Sequence, residues 1–468
     1  MLVSFAGFLS LFVVIGLSAS LRSRGTSRDY YLADQSVPPS LVGLSAVATN
    51  NSGYMFIGAI GYTYATGLAS IWLMLGWIAG DYMASLFVHR RLREAAAASR
   101  EASYAGILSN WGFGRRYGTL RRFAAVITLI FLLAYASAQL IAGSKALSVL
   151  LDWPVWGGAV VGALIVVGYC FAGGIRASIW TDAAQSVVMI LAMGMLLLVA
   201  VQSAGGLSGA AEQMREIDNF LDWYPADLPF PGIAGGMLFA TSWLFAGLSV
   251  IGQPHIMIRF VALDEPTDMI RARLYYYLWF TAFYSMAIGV GLMARILLNS
   301  PEEFDAELAL PTMALELLPP VFVGLVLAGI FAATMSTADS LILSCSSALS
   351  NDLLPKKLES RWLIRLSTLG MTAIALGLTF TSEQNVFALV IMAWSGLASA
   401  FAPLLIVLCL SRRPQEGLAI TMMLGGLAVA VLWRWWGLAD AVYEGMPGIL
   451  SGLLIYIVGS RIIKARAH

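Results

Sequence analysis

Apolar residues in this chain run in long blocks, without the every-second-residue alternation of a half-exposed strand. Thirteen blocks stand out, at roughly 2–21, 39–64, 69–88, 123–148, 155–173, 179–202, 232–258, 273–298, 317–348, 363–382, 385–410, 416–436 and 447–463. A block of about 20 apolar residues, wound as a helix, crosses the hydrocarbon core of a bilayer. Lipid offers the backbone no hydrogen bonds, so a spanning segment is a helix or a strand of a closed barrel. Barrel strands alternate apolar and polar residues, and these blocks do not. The pattern predicts an all-α polytopic membrane protein. Composition agrees: the 468 residues are 59% hydrophobic and 12% charged, with mean hydropathy +0.79, against about 25% charged residues in soluble domains.

Charge sets the orientation. Basic residues collect in cytoplasmic connections. With the N-terminus outside, all but four of the 28 Lys and Arg residues fall on the inner side, the exceptions being Lys145, Arg215, Arg295 and Arg434. Arg259, Arg271 and Arg273 are counted here in one inner connection. The outer connections are acidic, carrying Glu212, Glu216, Asp218, Asp222 and Asp227, then Glu302, Glu303, Asp305 and Glu307. The C-terminus is then cytoplasmic, and the expected location is the cell (inner) membrane. The first block lacks a basic start and a small-residue cleavage site, so it reads as a retained span. No linker divides the chain, and 1–468 reads as a single transmembrane transporter domain. There is no P-loop and no water-soluble catalytic domain, which argues against an ATP-driven pump and against an enzyme. Cys170, Cys345 and Cys409 lie far apart in apolar runs, and His89, His255 and His468 do not cluster; neither set has metal-site or disulfide spacing.

Polar residues interrupt the blocks at three places. In "AVATNNSGYMFIGAIG", Thr49, Asn50, Asn51, Ser52 and Gly53 sit mid-span, where poor helix formers can unwind a turn. In "LFAGLSVIGQPHIMIRF", Gly247, Gly252 and Pro254 weaken the ladder, and proline removes a donor. These are the second and seventh blocks. Broken helices at corresponding positions of two halves point to an inverted-repeat transporter with a site near the midplane, although helix packing also uses small residues. The third place is "GIFAATMSTADSLILSCSSALS" in the ninth block. There Ala333, Ser336, Thr337 and Ser340 share one helix face by their i, i+3, i+4 spacing, flanked by Asp339. Hydroxyls and carbonyls are hard oxygen donors suited to a small hard cation. A lone serine more simply bonds back to its own helix. A cluster beside an intramembrane acid reads as an ion site. Asp182, near the start of a span, reads equally well as a first-turn acid favoured by the helix dipole. For Asp81, at mid-span in "LGWIAGDYMAS", a helix–helix hydrogen bond and a transport role both stay open.

"RDYYLADQSVPP", "GGIRASIWTDAAQS", "GQPHIMIRFVA" and "AATMSTADSLILSCSSALSNDL" resemble the sodium/solute symporter family, nearest its sodium/proline branch, from about residue 28 to about 412. The resemblance implies a LeuT-type 5+5 inverted repeat with about 13 transmembrane helices, in line with the block count. A leading helix at 2–21 precedes one repeat at 39–202 and a second at 232–410, and two additional helices follow at 416–463. Carried over by position, the family's sodium site falls on the backbone carbonyls of Ala48, Asn51 and Ala333 and the hydroxyls of Ser336 and Thr337. A second cation or proton site found in some members falls on Asp182, Ser336, Asp339 and Ser340, with Asp339 standing where those members carry serine. The proline branch carries Asp where this chain has Asn50, and Trp and Tyr where it has Ala246 and Val250, which implies a wider or differently shaped pocket. Pro254 is retained. Substrate contacts are expected from Asn50, Ser52, Gly53, Tyr135, Gln139, Ala246, Val250, Pro254 and Trp394, with Ser137 and Ser395 as further candidates.

The resulting expectation is a sodium-coupled symporter that imports a small polar organic solute, an amino acid or related zwitterion, with Na⁺ as the co-transported ion and the only metal. The alternatives are a transporter-like sensor module of a signalling protein, which the absence of kinase motifs disfavours, and a proton-coupled or uncoupled carrier of the same fold. The expected partners are a small-molecule solute and the lipid bilayer, with no nucleic acid. The chain is expected to act as a monomer or weak homo-oligomer.

Overall fold

A computed structural model describes all residues except 21–25, 113–115, 226–227, 229, 231, 299–303, 355–360, 382–384, 440 and 467–468. The loop charges Arg22, Arg24, Arg115, Lys356, Lys357, Asp227, Glu302 and Glu303, together with His468 and the side chain of Cys170, lie outside the described residues. Among the described residues the fold is all-helical, with one isolated bridge between Val37 and Leu263.

The main helices are α1 (Leu2–Ser20), α2 (Pro39–Asn50), α3 (Ala59–Thr66), α4 (Ile71–Phe87), α5 (Gly118–Leu151), α6 (Val155–Ser203) and α7 (Gly232–Leu248). After them come α8 (Pro254–Val261), α9 (Met269–Leu297), α10 (Pro320–Ser347), α11 (Arg361–Thr379), α12 (Val386–Cys409), α13 (Glu416–Trp435) and α14 (Gly445–Arg466). Among the described residues, every predicted apolar block therefore lies mainly on helix. By length and apolarity alone, nine helices among the described residues can cross a bilayer, and Leu2–Ser18 and Val155–Gly168 are shorter apolar helices. The expected thirteen is not reached on that measure. A span interrupted halfway leaves two pieces, each shorter than a bilayer, and α11 opens with Arg361 and Arg365. The fifth and sixth blocks form one helical run, within which Gly174 takes a left-handed backbone conformation (φ 59°) that closes the first segment.

Both expected breaks are present. At the end of α2, Asn51 leaves the helical region (φ −86°, ψ 32°), and a single π-turn, Tyr54–Gly58, leads into α3. Such turns recur at functional sites. Between α7 and α8 the chain tightens over Ser249–Gly252, Gln253 is extended (φ −98°, ψ 98°), and Pro254 opens the new helix, where its missing N–H costs nothing.

Helix α10 is the centre of the bundle, packed on α6 and α5 and flanked by α1. Its apolar window is 83% buried and that of α12 is 89% buried, against 28% for α13 and 17% for α14. The last two helices are thus an outer layer. Helices α4 and α7 touch backbone to backbone: a Cβ on Gly80 would lie 1.9 Å from the Leu244 carbonyl oxygen, and one on Gly247 2.1 Å from that of Trp77. Small residues permit this approach where lipid gives no hydrophobic drive.

The helix ends are tied by charge. Lys145 pairs with Asp305 (2.8 Å) and Glu307 (2.7 Å). The Glu307 carboxylate also accepts the Val386 and Phe387 N–H groups (3.0 and 2.8 Å) at the start of α12, where the helix dipole favours an anion. Arg434 pairs with Glu444. Two of the four basic residues predicted on the acidic side are therefore neutralised there. At the opposite ends, Arg121 meets Asp352 (2.7 Å) and Arg176 meets Asp29 (2.7 Å).

Candidate functional site

The last turn of α2 ends in the middle of the protein, so its final carbonyls have no next turn to bond. Two of them face α10. Ser336 Oγ lies 3.4 Å from the Ala48 carbonyl oxygen and donates to that of Ala333 at 3.1 Å. Thr337 Oγ1 donates to the Thr49 carbonyl oxygen at 2.9 Å. The structure thus brings together Ala48, Ala333, Ser336 and Thr337, the positions that the family resemblance implies, and adds the Thr49 carbonyl. Asn51 lies at the same break, but its side chain turns back, Nδ2 donating to the Val47 carbonyl at 2.9 Å, while Oδ1 has no partner. All of these oxygens are neutral, and Ser336 and Thr337 are at most 1% exposed. A hydroxyl that donates to a carbonyl still offers its lone pairs, so the set can close around a cation without moving a charged group.

One turn further along α10 the chemistry changes. Asp182 Oδ2 accepts from Ser45 Oγ (2.6 Å), Arg259 Nη2 (2.9 Å) and Arg259 Nε (3.3 Å). The Arg259 guanidinium also donates to Ser178 Oγ (2.9 Å), Ser45 Oγ (2.9 Å), the His255 carbonyl (2.7 Å) and Ser340 Oγ. Asp339 Oδ1 accepts from Ser340 (2.9 Å) and Ser178 (3.2 Å). The guanidinium is 1% exposed on a side chain that the charge count had put in an inner connection. That placement is corrected: α8 restarts at Pro254 and carries Arg259 inward. The residues expected at a second cation or proton site, Asp182, Asp339 and Ser340, lie together, with the Arg259 guanidinium among them. Sequence reasoning missed this residue, although two acids in apolar spans signal a buried base.

The substrate candidates do not all come together. Ser52 Oγ meets Tyr135 Oη at 3.1 Å, and the Gly53 N–H donates to Gln139 Oε1 at 2.9 Å. Trp394 Nε1 donates to the Ala246 carbonyl at 2.8 Å, and its ring lies 5.2 Å from that of Trp77. The Trp394 indole on α12 thus reaches the Ala246 backbone on α7. Val250 belongs to the second break, where its carbonyl accepts the Gln253 N–H at 3.0 Å. Pro254 lines a small cavity with Ile258, Arg259 and Ser340, of about 30 Å³, room for a water molecule or two. Asn50 turns away from these groups, toward Tyr276 Oη (2.5 Å) and Asp81. Ser137 bonds back to a carbonyl of its own helix, and Ser395 lies within hydrogen-bond distance of both its own helix's Met392 carbonyl (3.1 Å) and the Glu444 carboxylate (3.0 Å).

Two interrupted helices, with a buried oxygen cluster between one break and a continuous helix, fit the architecture of a LeuT-type secondary transporter. The chain belongs to the sodium:solute symporter family, whose description it matches over residues 30–426. It is 29% identical over 453 residues to the high-affinity proline transporter PutP of Bacillus subtilis, covering 94% of each chain. It is also 29% identical over 485 residues to the sodium/proline symporter of Escherichia coli, covering 99% of this chain and 93% of that one. Its fold matches a Na⁺-coupled sialic acid symporter, solved substrate-bound and outward-open, with TM-score 0.81 at 17% identity over 97% of this chain and 95% of the other.

Proposed function

We propose that the protein couples inward movement of Na⁺ to import of a small polar organic solute, an amino acid or related zwitterion, across the cell (inner) membrane. The observation that carries this reading is the set of neutral oxygens from Ala48, Thr49, Ala333, Ser336 and Thr337, shared between the first break and α10. Neutral ligands bind Na⁺ weakly enough to release it. Binding fixes α2 against α10 and sets Ser52, Gly53, Tyr135 and Gln139 in place, so ion and solute each strengthen the other by a reciprocal coupling, typically about 1–3 kcal/mol. The membrane potential adds about 2.3 kcal/mol per charge per 100 mV. The proline transport named for its relatives makes proline the first solute to test. Ala246, Val250 and the inserted Trp394 shape the pocket differently from that branch, so betaines and other amino acids follow.

Arg259 bears on the ion count. A cation that never leaves stands where a second Na⁺ would, so the cycle carries one Na⁺. The test is uptake of radiolabelled proline, then of amino acids, betaines and small organic acids picked by thermal shift, into proteoliposomes with Na⁺ and H⁺ gradients imposed separately. The expected result is uptake that requires the Na⁺ gradient and shows a Hill coefficient for Na⁺ near one. Uptake indifferent to Na⁺ overturns the reading.

A further inference from the structure

Asp81 lies on α4 at membrane depth and is fully buried. Tyr276 Oη donates to its Oδ2 at 2.7 Å, Tyr277 Oη to its Oδ1 at 2.7 Å, and Asn50 Nδ2 approaches Oδ2 at 3.4 Å. Asn50 Nδ2 also meets Tyr276 Oη at 2.5 Å. The carboxylate therefore has three donors from two other helices, and all three are neutral. Among the described residues it makes no ion pair. Arg273, one turn before Tyr277 on α9, lines a surface cleft with Leu274 and Leu278 and does not pair with it.

A buried carboxylate held by neutral donors alone lacks the counter-charge that such groups carry. The other two intramembrane acids near the break, Asp182 and Asp339, share the Arg259 network. The Na⁺ cluster has the complementary deficit: five neutral oxygens around a full positive charge. Asn50 joins the two, since it is the last residue of α2, next to Asn51 and two positions after Ala48. We infer that Asp81 is the counter-charge of the transported Na⁺, a positioning residue that acts on the ion through Asn50 and the broken end of α2. The inference rests on the proposed Na⁺ coupling.

The experiment is binding of ²²Na⁺ to the purified full chain in nanodiscs, with melting temperature measured alongside. Asp81→Asn keeps the shape and an acceptor for the tyrosines but removes the charge. It is expected to weaken Na⁺ binding about tenfold, the scale of one unit charge acting through a medium of intermediate dielectric. Adding Asn50→Asp puts the charge back one helix away, and the double variant is expected to recover to within about threefold of wild type. Tyr277→Phe supplies a second reading that does not depend on Asp81→Asn folding. It strips a donor from the anion, which then needs the cation more, so Na⁺ binding tightens by a few-fold. A purely structural clasp predicts weakening instead. An Asp81→Asn isotherm equal to wild type, an unrescued double variant at wild-type melting temperature, or weaker binding in Tyr277→Phe overturns the inference. Absence of ²²Na⁺ binding to the wild type overturns the Na⁺ reading itself.

Discussion

Helix α10 carries two polar clusters about one turn apart, and they handle positive charge in opposite ways. Ser336 and Thr337 face the cut end of α2 with hydroxyls and carbonyls only. Asp339 and Ser340 face Asp182 on α6, and a guanidinium fills the space between them. Neutral oxygens leave no uncompensated charge behind when an ion departs. Two acids within one cluster do, and here the fixed Arg259 guanidinium answers them. On the function proposed above, the contrast separates a cluster suited to a visiting cation from one that holds a resident guanidinium. The resident also ties the halves of the fold: Arg259, from the second break, reaches Ser45 on α2 and Ser178 on α6.

The largest effect is expected from removing the resident. Arg259→Met leaves Asp182 buried without its partner, a change that typically costs about 3–5 kcal/mol. The melting temperature in detergent should fall by many degrees, and adding Asp182→Asn should restore much of it. A melting curve unchanged in Arg259→Met would mean that the guanidinium is not the partner of this acid, and the two clusters would no longer differ in kind.

The visitor's cluster comes next. Thr337→Ala removes one of the proposed ligands and should raise the Na⁺ concentration for half-maximal uptake about tenfold, equivalent to about 1.4 kcal/mol. Ser336→Ala, whose contact with Ala48 is longer at 3.4 Å, should raise it a few-fold. Melting temperature without Na⁺ should stay near wild type in both. If both variants keep wild-type Na⁺ dependence in uptake assays, these hydroxyls are packing groups.

The two clusters were not equally legible. Hydroxyls at i, i+3, i+4 spacing and helix breakers five spans apart are local patterns, and the structure shows the breaks at Asn51 and Gln253 with the hydroxyls facing the first of them. Arg259 was hidden because a charge a few residues past a proline reads as a helix end. Only the restart of α8 at Pro254 and its burial reveal the direction of the side chain. Contacts such as Trp394 with Ala246 and Asn50 with Tyr276 join residues 148 and 226 positions apart, and no periodicity in one sequence encodes which distant helices meet. The Thr49 carbonyl joins the oxygen cluster for the same reason: which carbonyl is orphaned depends on where the last turn stops, within one or two residues.

The smallest effect is expected from Asp339→Ser, which gives the resident's cluster the serine that the family resemblance implies at a second cation site. Asp339 touches that network through Ser178 and Ser340, while Asp182 holds the direct pairing with Arg259. Replacing it keeps a hydrogen-bonding group and leaves the guanidinium paired. The half-maximal Na⁺ concentration should stay within about twofold of wild type, since a shift of that size corresponds to only about 0.4 kcal/mol, and the Hill coefficient should stay near one. A tenfold shift would show that the acid helps to hold the transported ion, and a Hill coefficient near two that Arg259 yields its place to a second Na⁺ once the extra acid is gone. Either result would merge the two clusters into one continuous cation path along α10. An unchanged curve keeps them apart, with one turn of helix separating an ion that moves from one that stays.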